Sequence, residues 1–255
     1  MPIINATAIR VLWSREMKRF LRAKSRVVGS LAMPLFFLAF LGLGFNKMNV
    51  PGLGGGVQYA KFLVPGIIGM AMLFTSVMGG LSVLWDKEFG FLKEIMVAPV
   101  SRVSIVLGRI AGGITTALIQ GLLILGIAAV AGFRMLGPGR FLLAFVFMVL
   151  IAAAFLGFGL IFASRMKDMQ GFQIVVNFVV FPLFFLSGAI YPIQGLPVVL
   201  KPLVYLDPLT YGVDGLRQSL IGASHFGLLT DFSVLAIFAV ALVALGSHRF
   251  SKIQV

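Results

Sequence analysis

WDKEFGFLKEIMVAPVSRVSIVLG, residues 85–108, is the longest polar interruption between hydrophobic runs after the N-terminal segment. It carries three of the chain's eight acidic residues, Asp86, Glu88 and Glu94, together with Lys87, Lys93 and Arg102. Phe89, Leu92 and Met96 fall at the i, i+3, i+7 spacing of a short amphipathic helix. Pro99 ends that helix, because the residue before a proline avoids helical dihedrals. The polar face of such a helix is unsuited to lipid, and its apolar face needs a partner. Two readings follow from spacing alone: a solvated loop helix, or a docking surface for another protein.

Outward from this stretch the chain is apolar. Of its 255 residues 60% are hydrophobic and only 11% charged, with a mean hydropathy of +1.06, which is more apolar surface than a soluble domain can bury. The composition predicts an all-α polytopic membrane protein. A formal charge of +13 would suggest nucleic acid in a soluble protein. Here the basic residues cluster at the ends of hydrophobic runs, where anionic head groups lie, so membrane lipid is the expected partner and nucleic acid is not. The chain has no cysteine, which excludes disulfides, thiolate metal sites and cysteine nucleophiles. The N-terminal basic stretch is long and the apolar run after it is of spanning length, unlike a secretory signal.

Residues 5–26 hold seven basic side chains against the single acid Glu16, and Ile9, Leu12, Trp13, Met17 and Phe20 share one helical face. This pattern predicts an amphipathic helix that lies in the head-group layer, packs on its own protein, or does both. Six spans follow, at 27–46, 62–85, 108–131, 141–164, 169–190 and 229–248, each near the roughly 20 residues that cross a bilayer core. The polar segment 86–104 lies between the second and third. Segment 191–224, between the fifth and sixth, is too apolar for a free loop and too broken by proline for a span. Asp207 and Pro208 read there as an N-cap followed by proline at the first helical position, and Asp214 with Arg217 as an i, i+3 pair.

Lysine and arginine set the orientation. With the N-terminus in the cytoplasm, fifteen of the twenty-one basic residues face inward, and Lys47, Lys61, Arg134, Arg140, Lys201 and Arg217 face outward. An even number of spans returns the C-terminus to the cytoplasm. The loop around Gly54-Gly55-Gly56 reads as a linker. No GxxxxGK[ST] occurs, so an ATP engine, if there is one, is another chain.

Inside the spans, glycines recur at Gly69, Gly79, Gly108, Gly112, Gly157 and Gly159. They serve close helix packing within one subunit, or a dimer seam. Gln173 and Asn177, one turn apart, and Thr75, Ser76 and Gln120 either bond between helices or line a path. No charge falls near the middle of any span, which argues against a proton relay or an ion-coupled carrier. His225 and His248 near span ends, no GxSxG elbow and no paired acids within spans leave an intramembrane enzyme poorly supported. A passive channel would leave the segment at 86–104 unused.

The words WDKEFGFLKEIMVAPVSR, FLSGAIYPI at 185–193 and YLDPLTYGVDGLR at 205–217 closely resemble the ABC type-2 transporter permease family, which includes the daunorubicin-resistance permeases. The resemblance spans most of the chain and implies a single transmembrane domain over 1–255. It also implies a coupling helix, at Glu88, Phe89, Gly90, Phe91, Leu92, Lys93, Glu94, Met96, Pro99 and Arg102, seated in a separate ATPase subunit. ATP and magnesium would bind to that subunit, present in two copies, and this chain would hold no cofactor. The resemblance further implies a homodimer in a bacterial inner membrane, with the second and fifth spans facing the dimer axis. Met70, Phe74 and Met78, opposed by Gln173, Asn177 and Phe181, would line the substrate path. A re-entrant helix pair would form an outer gate at Tyr191, Pro192, Asp207, Pro208, Asp214 and Arg217. The lining suits a hydrophobic or amphipathic molecule, because methionine adapts its shape and phenylalanine offers a broad apolar face.

The topology is testable in this cysteine-free chain. Single cysteines at Ser14, Ser101 and Ser251 are expected to be shielded from an impermeant thiol reagent in intact cells, while one at Asn49 reacts. Outside labelling of Ser101→Cys would refute the six-span topology.

Overall fold

The computed structural model describes residues 4–45, 57–90, 100–166 and 168–251. The glycine-rich loop at 54–56 and most of the expected coupling helix lie outside them. Nine helices of six or more residues organise the described part. α1 (Ala6–Arg22) starts at Asn5, whose side chain accepts from the Ala8 amide, and its last turn carries Arg19 and Arg22, which complement the helix dipole. Only Ala23 separates it from α2 (Lys24–Gly44). α3 (Tyr59–Glu88) is followed by α4 (Arg102–Val130), capped by the Ser101 hydroxyl on the Ser104 amide, and by α5 (Pro138–Arg165), which has proline in its first turn. α6 (Met169–Leu186), capped by Asp168, widens into a π-helical turn at Val176–Val180. Pro182 follows that turn and has no N–H to continue the ladder, so the wide turn falls where a regular helix would break. α7 (Lys201–Leu206), α8 (Pro208–Ile221) and α9 (Leu228–Ser251) complete the order.

α2, α3, α4, α5, α6 and α9 are each long and apolar enough to cross a membrane. The 30 residues of α3 rise about 45 Å, against a hydrocarbon core of about 30 Å, so its ends project beyond the core. α3 is the central pillar. It packs on α2, α4, α5 and α8, and every residue from Phe62 to Leu73 is buried. α9 lies along α5, whereas α2 buries little of its surface.

Close approach without an aqueous driving force requires small residues. A Cβ on Gly80 would land on the Gly159 backbone where α3 crosses α5, and one on Gly157 would land on the backbone at Leu242 of α9. A Cβ on Gly69 or Gly79 would instead meet the side chain of Val213 or Leu156. These glycines therefore serve packing within the subunit, one of the two roles their recurrence allows.

Three local features depart from the sequence reading. The helix through the second expected span does not stop at 85 but runs on to Glu88, so Asp86 and Glu88 are helical rather than part of a loop. α4 begins at Arg102, not 108, because Ser101 caps it there. The fifth span ends at Leu186 rather than 190, with Ser187 bonded back to the Phe184 carbonyl and Gly188 in the left-handed region at φ +72°.

The α3–α5 crossing gives a stability test. Gly80→Leu overpacks a backbone contact and is expected to destabilise the protein by about 1–3 kcal/mol or more. Gly126→Ala, where a Cβ meets nothing, should leave it unchanged. Thermal melting monitored by size-exclusion in detergent separates the two.

Candidate membrane transport site

α1 lies along α4 in a trough made by Gly108 and Gly112. A Cβ at Gly108 would strike Leu12 and the Ile9 backbone, and one at Gly112 would strike Glu16. Two hydrogen bonds fasten the pair: the Asn5 amide donates to Ser104 Oγ at 2.7 Å, and Trp13 Nε1 donates to Thr115 Oγ1 at 3.1 Å. Ile9, Leu12 and Trp13 of the expected apolar face thus meet protein.

This docking carries Arg15 and Arg19 to the end of α3. There they meet Asp86, which is buried. Arg15 Nη2 lies 3.2 Å from Asp86 Oδ1, Arg19 Nη1 lies 3.9 Å from the same oxygen, and Arg109 of α4, also buried, pairs with Oδ2. Arg19 pairs in addition with Glu16, and the Arg109 guanidinium lies 5.8 Å from the centre of the Phe250 ring. A carboxylate in the last turn of a helix opposes the helix dipole, and burial adds a desolvation cost. Three guanidiniums offset both. Sequence reading missed this knot, since Asp86 and Arg109 lie 23 residues apart and α1 reaches them only by folding.

Immediately past the knot α3 ends. Glu88 and Phe89 are exposed and Gly90 is left-handed at φ +76°. Phe91, Leu92, Lys93, Glu94, Met96 and Pro99 lie outside the described residues. Arg102, exposed at the start of α4, donates to the Ser251 carbonyl at the end of α9.

Above the knot a cavity of about 470 Å³ opens between α1, α2, α3 and α6. Met70, Phe74 and Met78 of α3 and Phe181 of α6 line it, with the Phe74 and Phe181 rings 4.9 Å apart. Gln173 and Asn177 do not. They bond to each other at 3.1 Å on the exposed face of α6, beside Ile174 and Phe178. The π-helical turn at Val176–Val180, which contains Asn177, shifts the register before Phe181, so the even spacing that grouped the three does not hold. Phe20, Met33 and Pro34 line the cavity from α1 and α2, and Arg19 and Glu16 sit at its rim. Periodicity within one helix carries no signal for such cross-helix partners.

At the opposite end, the expected gate residues do separate jobs. Tyr191 donates to the Phe185 carbonyl, and Pro192 precedes a 3₁₀ turn at Ile193–Gly195. Asp207 caps α8 through the Leu209 amide at 2.9 Å ahead of Pro208. Burial pushes its carboxyl up to about 8, against the opposing hydrogen bonds from Leu209 and Thr210. Asp214 and Arg217 do not form the expected ion pair. Asp214 Oδ2 accepts from Ser224 Oγ and the His225 and Phe226 amides, while Arg217 donates to the Gly188 carbonyl at 3.0 Å and stacks on Phe62, 3.7 Å from the ring centre. Each has a nearer partner in a loop that sequence spacing does not reveal.

Six helices of spanning length, with a largely apolar cavity between α1, α2, α3 and α6, define a polytopic membrane protein. The chain belongs to the ABC-2 type transporter family, whose pattern it matches over residues 7–221. It is 29% identical over 240 residues to the inner membrane transport permease YadH of Escherichia coli K12, covering 92% of this chain and 91% of that one. It is 26% identical over 235 residues to nodulation protein J of Rhizobium leguminosarum bv. viciae, covering 90% and 88%. A third relative, the probable multidrug ABC transporter permease YbhR of E. coli K12, is 28% identical over 163 residues, 64% of this chain and 44% of that protein. The chain is thus a multi-pass membrane permease of the inner-membrane type.

Asp86→Asn removes the charge that compensates buried Arg109 and is expected to cost about 3–5 kcal/mol. Arg15→Gln, at a side chain one-third exposed, should cost much less. Denaturation of the purified permease in detergent compares the two, and equal effects would show that the knot is not held by its buried pair.

Proposed function

We propose that this chain is the membrane subunit of an ATP-driven exporter, two copies working with two separate ATPase subunits that bind ATP and magnesium. The termini and segment 86–104 face the cytoplasm in this reading. The observation that carries it is the Asp86 knot: α1, α3 and α4 are joined by ion pairs directly above the segment that enters and leaves residues 91–99. A push on that segment from a closing ATPase pair would move three helices as one body, the kind of rigid shift that alternates access.

Met70, Phe74, Met78 and Phe181 favour a hydrophobic or amphipathic substrate in the cavity. The polar pair Gln173–Asn177 on the outer face of α6 is poorly suited to lipid and supports a second copy packed there. The arrangement of α7 and α8 is compatible with an outer gate.

Replacing both Glu88 and Glu94 by lysine is expected to weaken ATPase docking or uncouple hydrolysis from export, with the helices still folded. Phe74→Trp should obstruct export and change substrate-stimulated hydrolysis while assembly persists. Full transport and unchanged ATPase affinity in the doubly reversed variant would remove the coupling assignment.

A further inference from the structure

A second depression runs along α1 itself, and Arg19 lines both it and the apolar cavity. The depression is lined by Arg10, Arg15, Lys18, Arg19 and Arg22 with Val11, Ser14 and Ala23, and no acid lines it. The acids nearest to it, Glu16 and Asp86, are already taken up by Arg15, Arg19 and Arg109. Arg10, Lys18 and Arg22 are therefore surplus positive charge on an exposed face. A cationic depression joined at one residue to a methionine- and phenylalanine-lined hollow has the complementary shape and charge of a molecule with an acidic head and a long apolar tail. The hollow falls within the roughly 300–1,000 Å³ typical of small-molecule sites. α2, which closes one wall with Gly29, Ser30 and Met33, buries little of its surface, so the hollow borders the membrane.

We infer that the two recesses form one binding site for an acidic phospholipid of the cytoplasmic leaflet, with the phosphate on Lys18 and Arg22, beside the shared Arg19, and one acyl chain among Met33, Met70, Phe74 and Met78. This rests on the exporter reading and narrows it, because it names the substrate class as an acidic amphiphile taken from the leaflet beside α1. Coulombic attraction selects the head while burial of the tail supplies non-selective affinity, so an acidic and a zwitterionic lipid with the same chains should differ mainly through the depression.

Trp85 lines the hollow, and Trp13 is the chain's other tryptophan. In a Trp13→Phe background, the full chain in detergent is titrated with phosphatidylglycerol or phosphatidylcholine brominated on the acyl chains, and Trp85 quenching is followed. Saturable quenching by the acidic lipid at about tenfold lower concentration than by the zwitterionic one is expected, because the choline ammonium of the latter offsets the attraction of its phosphate to the basic side chains. Lys18→Gln/Arg22→Gln, which leaves the Asp86 knot intact, should abolish most of that preference. Gly29→Leu, at a position where a Cβ meets nothing, should fill the mouth and reduce quenching by both lipids. Inorganic phosphate at matching concentration should not displace the lipid. Equal quenching by the two lipids, an unchanged preference in the double variant, or displacement by phosphate alone would overturn the assignment. The assay contains no ATP and no ATPase, so its outcome is independent of whether the permease exports.

Discussion

The Asp86 carboxylate sits where elementary electrostatics disfavours it, in the final turn of a long helix and out of reach of bulk water. It is tolerable there only because Arg15, Arg19 and Arg109 converge on it, and they arrive on two different constraints. Arg109 comes with α4. Arg15 and Arg19 come with α1, which can approach α4 closely enough only because positions 108 and 112 lack side chains. Removing the carboxylate would leave buried guanidinium charge, and removing the glycines would push α1 away, so packing and charge specify one another at this end of the bundle.

The same economy of side chains governs the middle of the bundle. In lipid, helices gain little from expelling water and associate through contact, which is why the α3–α5 and α5–α9 crossings are made by glycine against backbone. α3 and α5 are the most covered of the six spanning helices and α2 the least. The cavity lies between the well-covered α3 and the weakly covered α2, with α1 and α6 as its other walls.

That placement gives the recess two kinds of neighbour. One end meets the charged knot, and its side meets the weakly covered α2. An occupant would therefore touch both the element nearest the proposed ATPase contact and the weakly covered α2, a physical basis for communication between the proposed substrate and engine.

Much of the architecture was legible in the chain alone. Apolar runs of spanning length separated by polar breaks dictate six crossing helices, because a backbone in hydrocarbon must satisfy its hydrogen bonds within each segment. The same runs placed Met70, Phe74 and Met78 on one side of α3. What the chain could not give were relations between distant segments. Asp86 read as part of the polar segment between two spans, because the arginines that allow it to extend the helix come from α1 and α4. Asp214 and Arg217 read as partners by spacing, yet each is taken by a loop brought near in the fold. Gln173 and Asn177 read as opposed to Met70, Phe74 and Met78 across a path between two copies, and within one subunit they lie on the exposed face of α6, away from the cavity that Phe181 lines. Helical period decides which residues share a face, but only the packing of helices decides what that face meets.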